Sequence, residues 1–157
     1  QLAPFAADTV ERIGDVLRDK RLDRLVSIVN PLDINPAADD EAHARIAAIL
    51  AEDPGVDAVV MGLDPLSPAM HTLADTDVPA FDLGAAVSIA RLLPEVAGQS
   101  DKPVIGIIDG GRLYDPLRDA LMAGGVPVFP VCDRAVAALA QYIQARLYAD
   151  LLRGGLG

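Results

Sequence analysis

The sequence predicts an α/β fold in which helices cover both faces of a mostly parallel sheet. Four short apolar runs, at 25–29, 57–63, 103–108 and 126–129, alternate with longer segments whose apolar residues recur at helical spacing. The runs are nearly continuous in apolar residues, which is typical of parallel strands buried on both sides. We therefore expect right-handed crossover helices and ligand-facing loops at the carboxyl ends of the strands.

The first half of the chain predicts two helices and two strands. A capped, amphipathic segment at 8–19 predicts the first helix. The compact, β-branched run at 25–29 is closed by Asn30-Pro31 and predicts a short buried strand. Acidic capping residues open a second helix at 39–50, and an apolar strand follows at 57–63.

The second half repeats this alternation after a stretch, 67–83, whose pattern favours no single structure. A helix is expected over 84–98, although Pro94 should bend or interrupt it. The remaining predicted elements are a strand at 103–108, a helix ending at Gly124-Gly125, a strand at 126–129 and a last helix that starts at Asp133 and ends at Gly154-Gly155.

Composition limits the classes of function. The chain has 157 residues, a formal net charge of -10 and no basic run, which opposes nucleic-acid binding. Apolar runs are too short to span a bilayer, so no membrane association is expected. Cys132 is the one cysteine, so no internal disulfide can form and a cytoplasmic location is expected. We expect one domain, 1–157, that is a fragment of a longer protein.

Several segments resemble, in order, the last α/β domain of acyl-CoA synthetases that form ADP or GDP, the succinyl-CoA synthetase superfamily. The resemblance covers residue 25 to about residue 145. It rests on Asn30-Pro31-Leu32-Asp33-Ile34, Asp53-Pro54-Gly55-Val56-Asp57-Ala58-Val59, Lys102-Pro103-Val104 with Gly110-Gly111, Gly124-Gly125-Val126-Pro127-Val128-Phe129, and Asp133-Arg134-Ala135-Val136-Ala137-Ala138-Leu139. It implies a flavodoxin-like, doubly wound fold.

The resemblance also implies a function. In such enzymes a nucleotide phosphorylates a histidine on a neighbouring domain, the phosphoryl group passes to the acid, and CoA then captures it. This domain would receive and orient the phosphohistidine loop and would be inactive alone. CoA-binding, phosphohistidine and ATP-grasp domains are the implied partners, and CoA, ATP or GTP and Mg are implied for the full enzyme but not for this domain.

The candidate site residues end two of the predicted strands. Asn30 and Asp33 follow the first strand, and Gly110, Gly111 and Arg112 follow the third. A loop that opens a helix offers free N–H groups to a phosphate, so these residues are candidates for binding a phosphate or a partner loop. Equally, Gly110-Gly111 could serve only a positive-φ turn, and Asp33 only the architecture of its loop.

Other reactive side chains favour structural roles. His43 is expected on the solvated side of its helix, and His71 in a surface or capping position. Cys132 precedes a helix without an adjacent histidine base, so a buried or inert thiol is expected. No catalytic residue and no metal site are assigned.

A second class of function stays open: a stand-alone interaction or small-ligand-binding module without catalysis, because a fold does not fix a function. The sequence also leaves a homo-oligomer open.

Overall fold

The computed structural model describes residues 2–154, so Gln1 and the predicted helix end at Gly155 lie outside the described residues. This part of the chain contains five α-helices and three strands; two helices come first, and strands and helices alternate from the first strand onward. The helices are α1 (Ala7–Asp19), α2 (Asp40–Glu52), α3 (Ile89–Gln99), α4 (Asp115–Ala123) and α5 (Cys132–Gly154); the strands are β1 (Val59–Gly62), β2 (Val104–Ile107) and β3 (Val128–Phe129).

The three strands form one parallel sheet in the order β1-β2-β3. Val59 of β1 aligns with Val104 of β2, and Gly106 of β2 aligns with Val128 of β3. Consecutive strands are therefore neighbours, and right-handed crossovers place α3 and α4 on the same face. The N-terminal part of α5 contacts β2 and β3. The predicted flavodoxin-like α/β fold, a parallel sheet with helices on both faces, is confirmed.

The main core lies between the sheet and α2, α3 and α4. Side chains alternate along a strand, so every second strand residue faces these helices. The largest fully buried members are Met70, Ile89, Leu93, Ile108, Leu117, Leu121 and Val126. This packing fixes the carboxyl ends of the strands relative to the helices that follow them.

The predicted strand at 25–29 is wrong. The segment is irregular and pairs with no strand in the described part of the chain; the Leu25 amide donates to the Leu22 carbonyl and the Val29 amide to the Ser27 carbonyl. Val26 and Ile28 pack instead on a second core formed by α1 and α2. Every second residue of the segment is thus covered by helices, which produces a strand-like burial pattern without a sheet.

The stretch 67–83 and the helix after it also differ from expectation. The stretch consists of turns, a 3-10 turn at Pro79–Phe81 and one isolated parallel bridge, between Leu73 and Asp82. Helix α3 begins later than predicted, at Ile89, where the Ser88 hydroxyl accepts the Ala90 amide. Pro94 lies inside α3, which continues through it.

Candidate functional site

The predicted loop that follows β2 is held by one largely buried guanidinium. Arg118, in the first part of α4, donates to the carbonyl oxygen of Ile108 from Nε at 3.3 Å and from Nη2 at 3.1 Å. The same side chain donates to the carbonyls of Gly110 and, at 3.4 Å, Gly111. It also pairs with Asp115. A single arginine thus holds three carbonyl groups of the loop backbone.

This arrangement determines where the loop's N–H groups point. In a trans peptide the C=O and N–H bonds point in opposite directions. Because the carbonyls of Gly110 and Gly111 face Arg118, the N–H groups of Gly111 and Arg112 face away from it. Neither N–H has a hydrogen-bond acceptor among the described residues. Both residues are exposed, so the loop presents two donors outward just before a helix.

The two glycines of the loop have different physical requirements. A Cβ on Gly110 would lie 2.8 Å from Cδ2 of Tyr114 and 3.0 Å from Cγ of Pro65, so this position needs glycine for close packing. A Cβ on Gly111 would meet nothing within 4 Å. Gly111 has φ -71°, and Gly125 is the glycine with positive φ in the described chain. The positive-φ explanation of Gly110-Gly111 is therefore wrong.

Charge around the loop is mixed. Arg112 is exposed and forms no ion pair in the part of the chain that the structure describes, and the same holds for Asp109. The guanidinium would attract an anion at the exposed N–H groups, whereas the Asp109 carboxylate would oppose one. An anionic group would therefore meet less repulsion on the side of Arg112 than on the side of Asp109.

Asn30 and Asp33 lie in a different part of the molecule. Asn30 donates through Nδ2 to the carbonyl of Ala3 at 2.8 Å, and Asp33 accepts the amide of Asn35 at 3.0 Å. Within residues 2–154, neither Asn30 nor Asp33 forms a hydrogen bond to the loop at 109–112. The structure brings Gly110, Gly111 and Arg112 together, but it leaves Asn30 and Asp33 on the α1–α2 side.

A cavity of about 300 Å³ lies beside that segment. Its walls are the outward-facing residues Leu25, Ser27, Val29, Pro31, Asp33, Asn35 and Pro36. The connection to the loop after β2 is indirect. Ser67 donates its hydroxyl to the carbonyl of Pro36 at 2.7 Å, and Pro65, two residues earlier, packs against Gly110.

The sequence interpretation missed a buried carboxylate, Asp40, at the start of α2. Its Oδ1 accepts the Ile89 amide at 2.7 Å, while Oδ2 accepts the His71 amide at 3.0 Å and the His71 ring Nδ1–H at 2.8 Å. Asp40 thereby ties the N-termini of α2 and α3 to the loop after β1. In the sequence it resembles an ordinary first-turn acid, so only its tertiary contacts reveal this role.

The remaining polar side chains have structural environments. His43 is buried, not solvated as predicted, because α1, α3 and the sheet surround α2; its Nδ1 donates to the Asp39 carbonyl at 2.9 Å. Burial lowers the pKa of His43. His71 is partly exposed and held by Asp40. Cys132 is exposed, which excludes the buried alternative of the expected buried or inert thiol.

No protein-family model matches the chain, and no curated protein does either. Solved structures do match. PH0766 from Pyrococcus horikoshii OT3 superposes with a TM-score of 0.62 at 20% identity, over 82% of this chain and 26% of that one. The dinucleotide-forming acetyl-coenzyme A synthetase 1 of Ca. Korarchaeum cryptofilum superposes with a TM-score of 0.54 at 20% identity, over 91% of this chain and 33% of that one.

The chain has the fold of an acetyl-coenzyme A synthetase domain. A second structure of that synthetase, in complex with phosphate and ADP, gives the same TM-score and identity over 32% of its chain. At the level of the fold, the resemblance drawn from the sequence motifs is confirmed. The chain spans about a quarter to a third of the length of these three solved chains. No helix within residues 2–154 is long and apolar enough to cross a membrane.

Proposed function

We propose that this chain is a domain of an acyl-CoA synthetase that forms a nucleoside diphosphate. Its role would be to receive and orient the phosphohistidine loop of a neighbouring domain. Two findings support the proposal: the ordered sequence motifs and the fold shared with a dinucleotide-forming acetyl-coenzyme A synthetase. The CoA-binding, phosphohistidine and ATP-grasp functions would belong to other domains of the same enzyme.

The observation that carries the docking role is the loop held by Arg118. Fixing the loop's carbonyls inward leaves the N–H groups of Gly111 and Arg112 directed outward before α4 begins. Oriented backbone donors that need no rearrangement stabilise an anion better than mobile side chains do. The dipole of α4 adds a partial positive charge at the same end. A phosphoryl oxygen on an incoming loop suits this arrangement.

The domain itself carries no step of the chemistry in this proposal. In this proposal Mg, ATP or GTP, and CoA bind to the full enzyme through its other domains. Asn30 and Asp33 shape the segment beside the 300 Å³ cavity, and the proposal confines the phosphate contacts to Gly110, Gly111 and Arg112.

The two glycines provide a matched test in the full-length enzyme. Gly111→Val places its side chain in open space at an ordinary φ, so the fold should be kept while the approach of a phosphate is blocked. Loss of one charge-assisted hydrogen bond predicts a roughly 10- to 100-fold slower phosphoryl transfer. Gly110→Ala should instead lower thermal stability, because its Cβ meets Tyr114 and Pro65.

The rate of phosphoryl transfer is measured by quench-flow, starting from enzyme that carries a labelled phosphohistidine. Stability is measured by thermal unfolding of the same preparations. Unchanged transfer in Gly111→Val would remove the docking role. The absence of acyl-CoA formation in the unaltered full-length enzyme would instead favour the non-catalytic binding module. The purified 157-residue chain should form no acyl-CoA in either case.

A further inference from the structure

Helix α5 carries an apolar surface that the rest of the described chain does not cover. It spans 23 residues, or about 34 Å at 1.5 Å per residue. Ala135 is its one buried residue, and the helix contacts the sheet at β2 and β3. From Ala140 to Gly154 every side chain except that of Ala149 is exposed. Most of the helix therefore extends beyond its own domain's core.

The exposed apolar residues of α5 form one stripe. At 100° per residue, positions 136, 140, 143, 147 and 151 fall within an arc of about 80°. The exposed fraction is 51% for Val136, 39% for Ile143, 60% for Leu147 and 72% for Leu151, and Ala140 is exposed as well. Ala135, which marks the side facing the sheet, lies about 120° from the centre of this stripe. We call these five residues the α5 stripe.

Charge distinguishes α5 from the rest of the chain. Its 23 residues include Asp133 and Asp150 against Arg134, Arg146 and Arg153, so the helix has a net charge of +1. Because the whole chain has a net charge of -10, the other residues sum to -11. Two copies that approach through α5 therefore bring together their least acidic surfaces, and no charged residue lies within the stripe itself.

The area of the stripe matches what a modest dimer needs. With its neighbour Tyr148, which is 71% exposed, the stripe offers apolar surface on the order of 500 Å² per copy. A two-fold pair would bury roughly 1,000 Å² in total, which is the lower limit of specific interfaces. We propose that α5 packs along its stripe against α5 of a second copy of this chain, as a reversible dimer with an affinity in the micromolar range.

Two adjacent leucines allow a matched test. Leu151→Glu places a charge in the stripe, whereas Leu152→Glu places the same charge about 100° further round the helix. Sedimentation equilibrium under reducing conditions, at about 0.1 mM chain, should give a dimer of 32.8 kDa, twice 16.4 kDa, for the unaltered chain. We expect the dissociation constant to rise at least tenfold in Leu151→Glu and less than threefold in Leu152→Glu.

Salt provides a second, independent readout. Because the interface is apolar and the two chains repel each other, raising the salt concentration should screen that repulsion and strengthen the dimer. A monomeric unaltered chain at 0.1 mM would refute the proposal and leave the stripe to another segment of a longer protein. Equal weakening by both glutamates, or salt-induced dissociation, would equally refute it, provided that circular dichroism shows intact helices.

Discussion

The Asp40 cluster makes the most specific stability prediction in the molecule. Asp40 is 1% exposed and accepts three hydrogen bonds, one from the Ile89 amide and two from His71. Asp40→Ala would leave these donors without an acceptor, and the Ile89 contact is fully buried. Hydrogen bonds to a charged group contribute about 1.5–3 kcal/mol each, but losses within one cluster do not add fully. We expect Asp40→Ala to lower the free energy of unfolding by about 3–5 kcal/mol.

An isosteric change separates charge from shape. Asp40→Asn keeps one oxygen that can accept the Ile89 amide, but its NH₂ group cannot accept the amide of His71. A loss of about 1–3 kcal/mol is therefore expected, because the His71 amide remains unpaired, whereas the His71 ring can turn an unprotonated Nδ1 to the new NH₂ group. Glu41→Ala is the control, since Glu41 is the next residue and its exposed ion pair with Lys20 should contribute less than about 1 kcal/mol.

Urea unfolding followed by far-UV circular dichroism gives the three free energies. The slope of each transition should stay constant, which shows that compactness has not changed. A loss below about 1 kcal/mol for Asp40→Ala, or one no larger than that of Glu41→Ala, would refute the view that this carboxylate joins two helices to a loop.

Two further predictions concern the interior. The pKa of His43 is lowered by burial, so as pH falls through 6.5 the unfolded chain takes up a proton before the folded chain does. Stability at low pH should therefore fall less steeply in His43→Gln than in the unaltered chain, as measured by urea unfolding between pH 7.5 and 5; equal pH dependence would contradict this. Gly124→Ala should destabilise by about 1–3 kcal/mol, because its Cβ would lie 2.5 Å from Cγ of Pro94. Adding Pro94→Ala should recover part of this loss in thermal unfolding; strictly additive losses would show that the contact is not responsible.

Three strands could be predicted from the sequence because each contains a continuous apolar run, as parallel strands covered on both faces do. The strand predicted at 25–29 is wrong for a physical reason. Alternating burial arises wherever every second side chain of a segment faces an apolar surface, and here that surface is the α1–α2 pair. The sequence shows which side of a segment is buried, but it does not show whether a sheet or a helix pair buries it.

The candidate site was partly predictable for a similar reason. Gly110-Gly111 directly follows a strand, so local pattern locates the loop. Arg118 lies eight residues beyond Gly110, and only the turn of α4 brings its guanidinium back to the loop carbonyls. Asp40 is even less accessible to sequence reasoning, because its partners lie 31 and 49 residues away. Contacts of this kind depend on the assembled fold.

The burial of His43 follows from the position of α2 between two cores. Ala44, Ala47 and Ala51 face the sheet core, whereas Ala42, Ile46 and Ile49 face the α1 core, so little of the helix is left for solvent. The same helix starts at Asp40, which fixes the loop after β1, and that loop packs through Pro65 on Gly110. The loop after β2 is therefore supported on one side by this chain of contacts and on another by Arg118, while Gly111 has open space beside it. Rigid support combined with an open approach is what a docking site for a mobile loop requires.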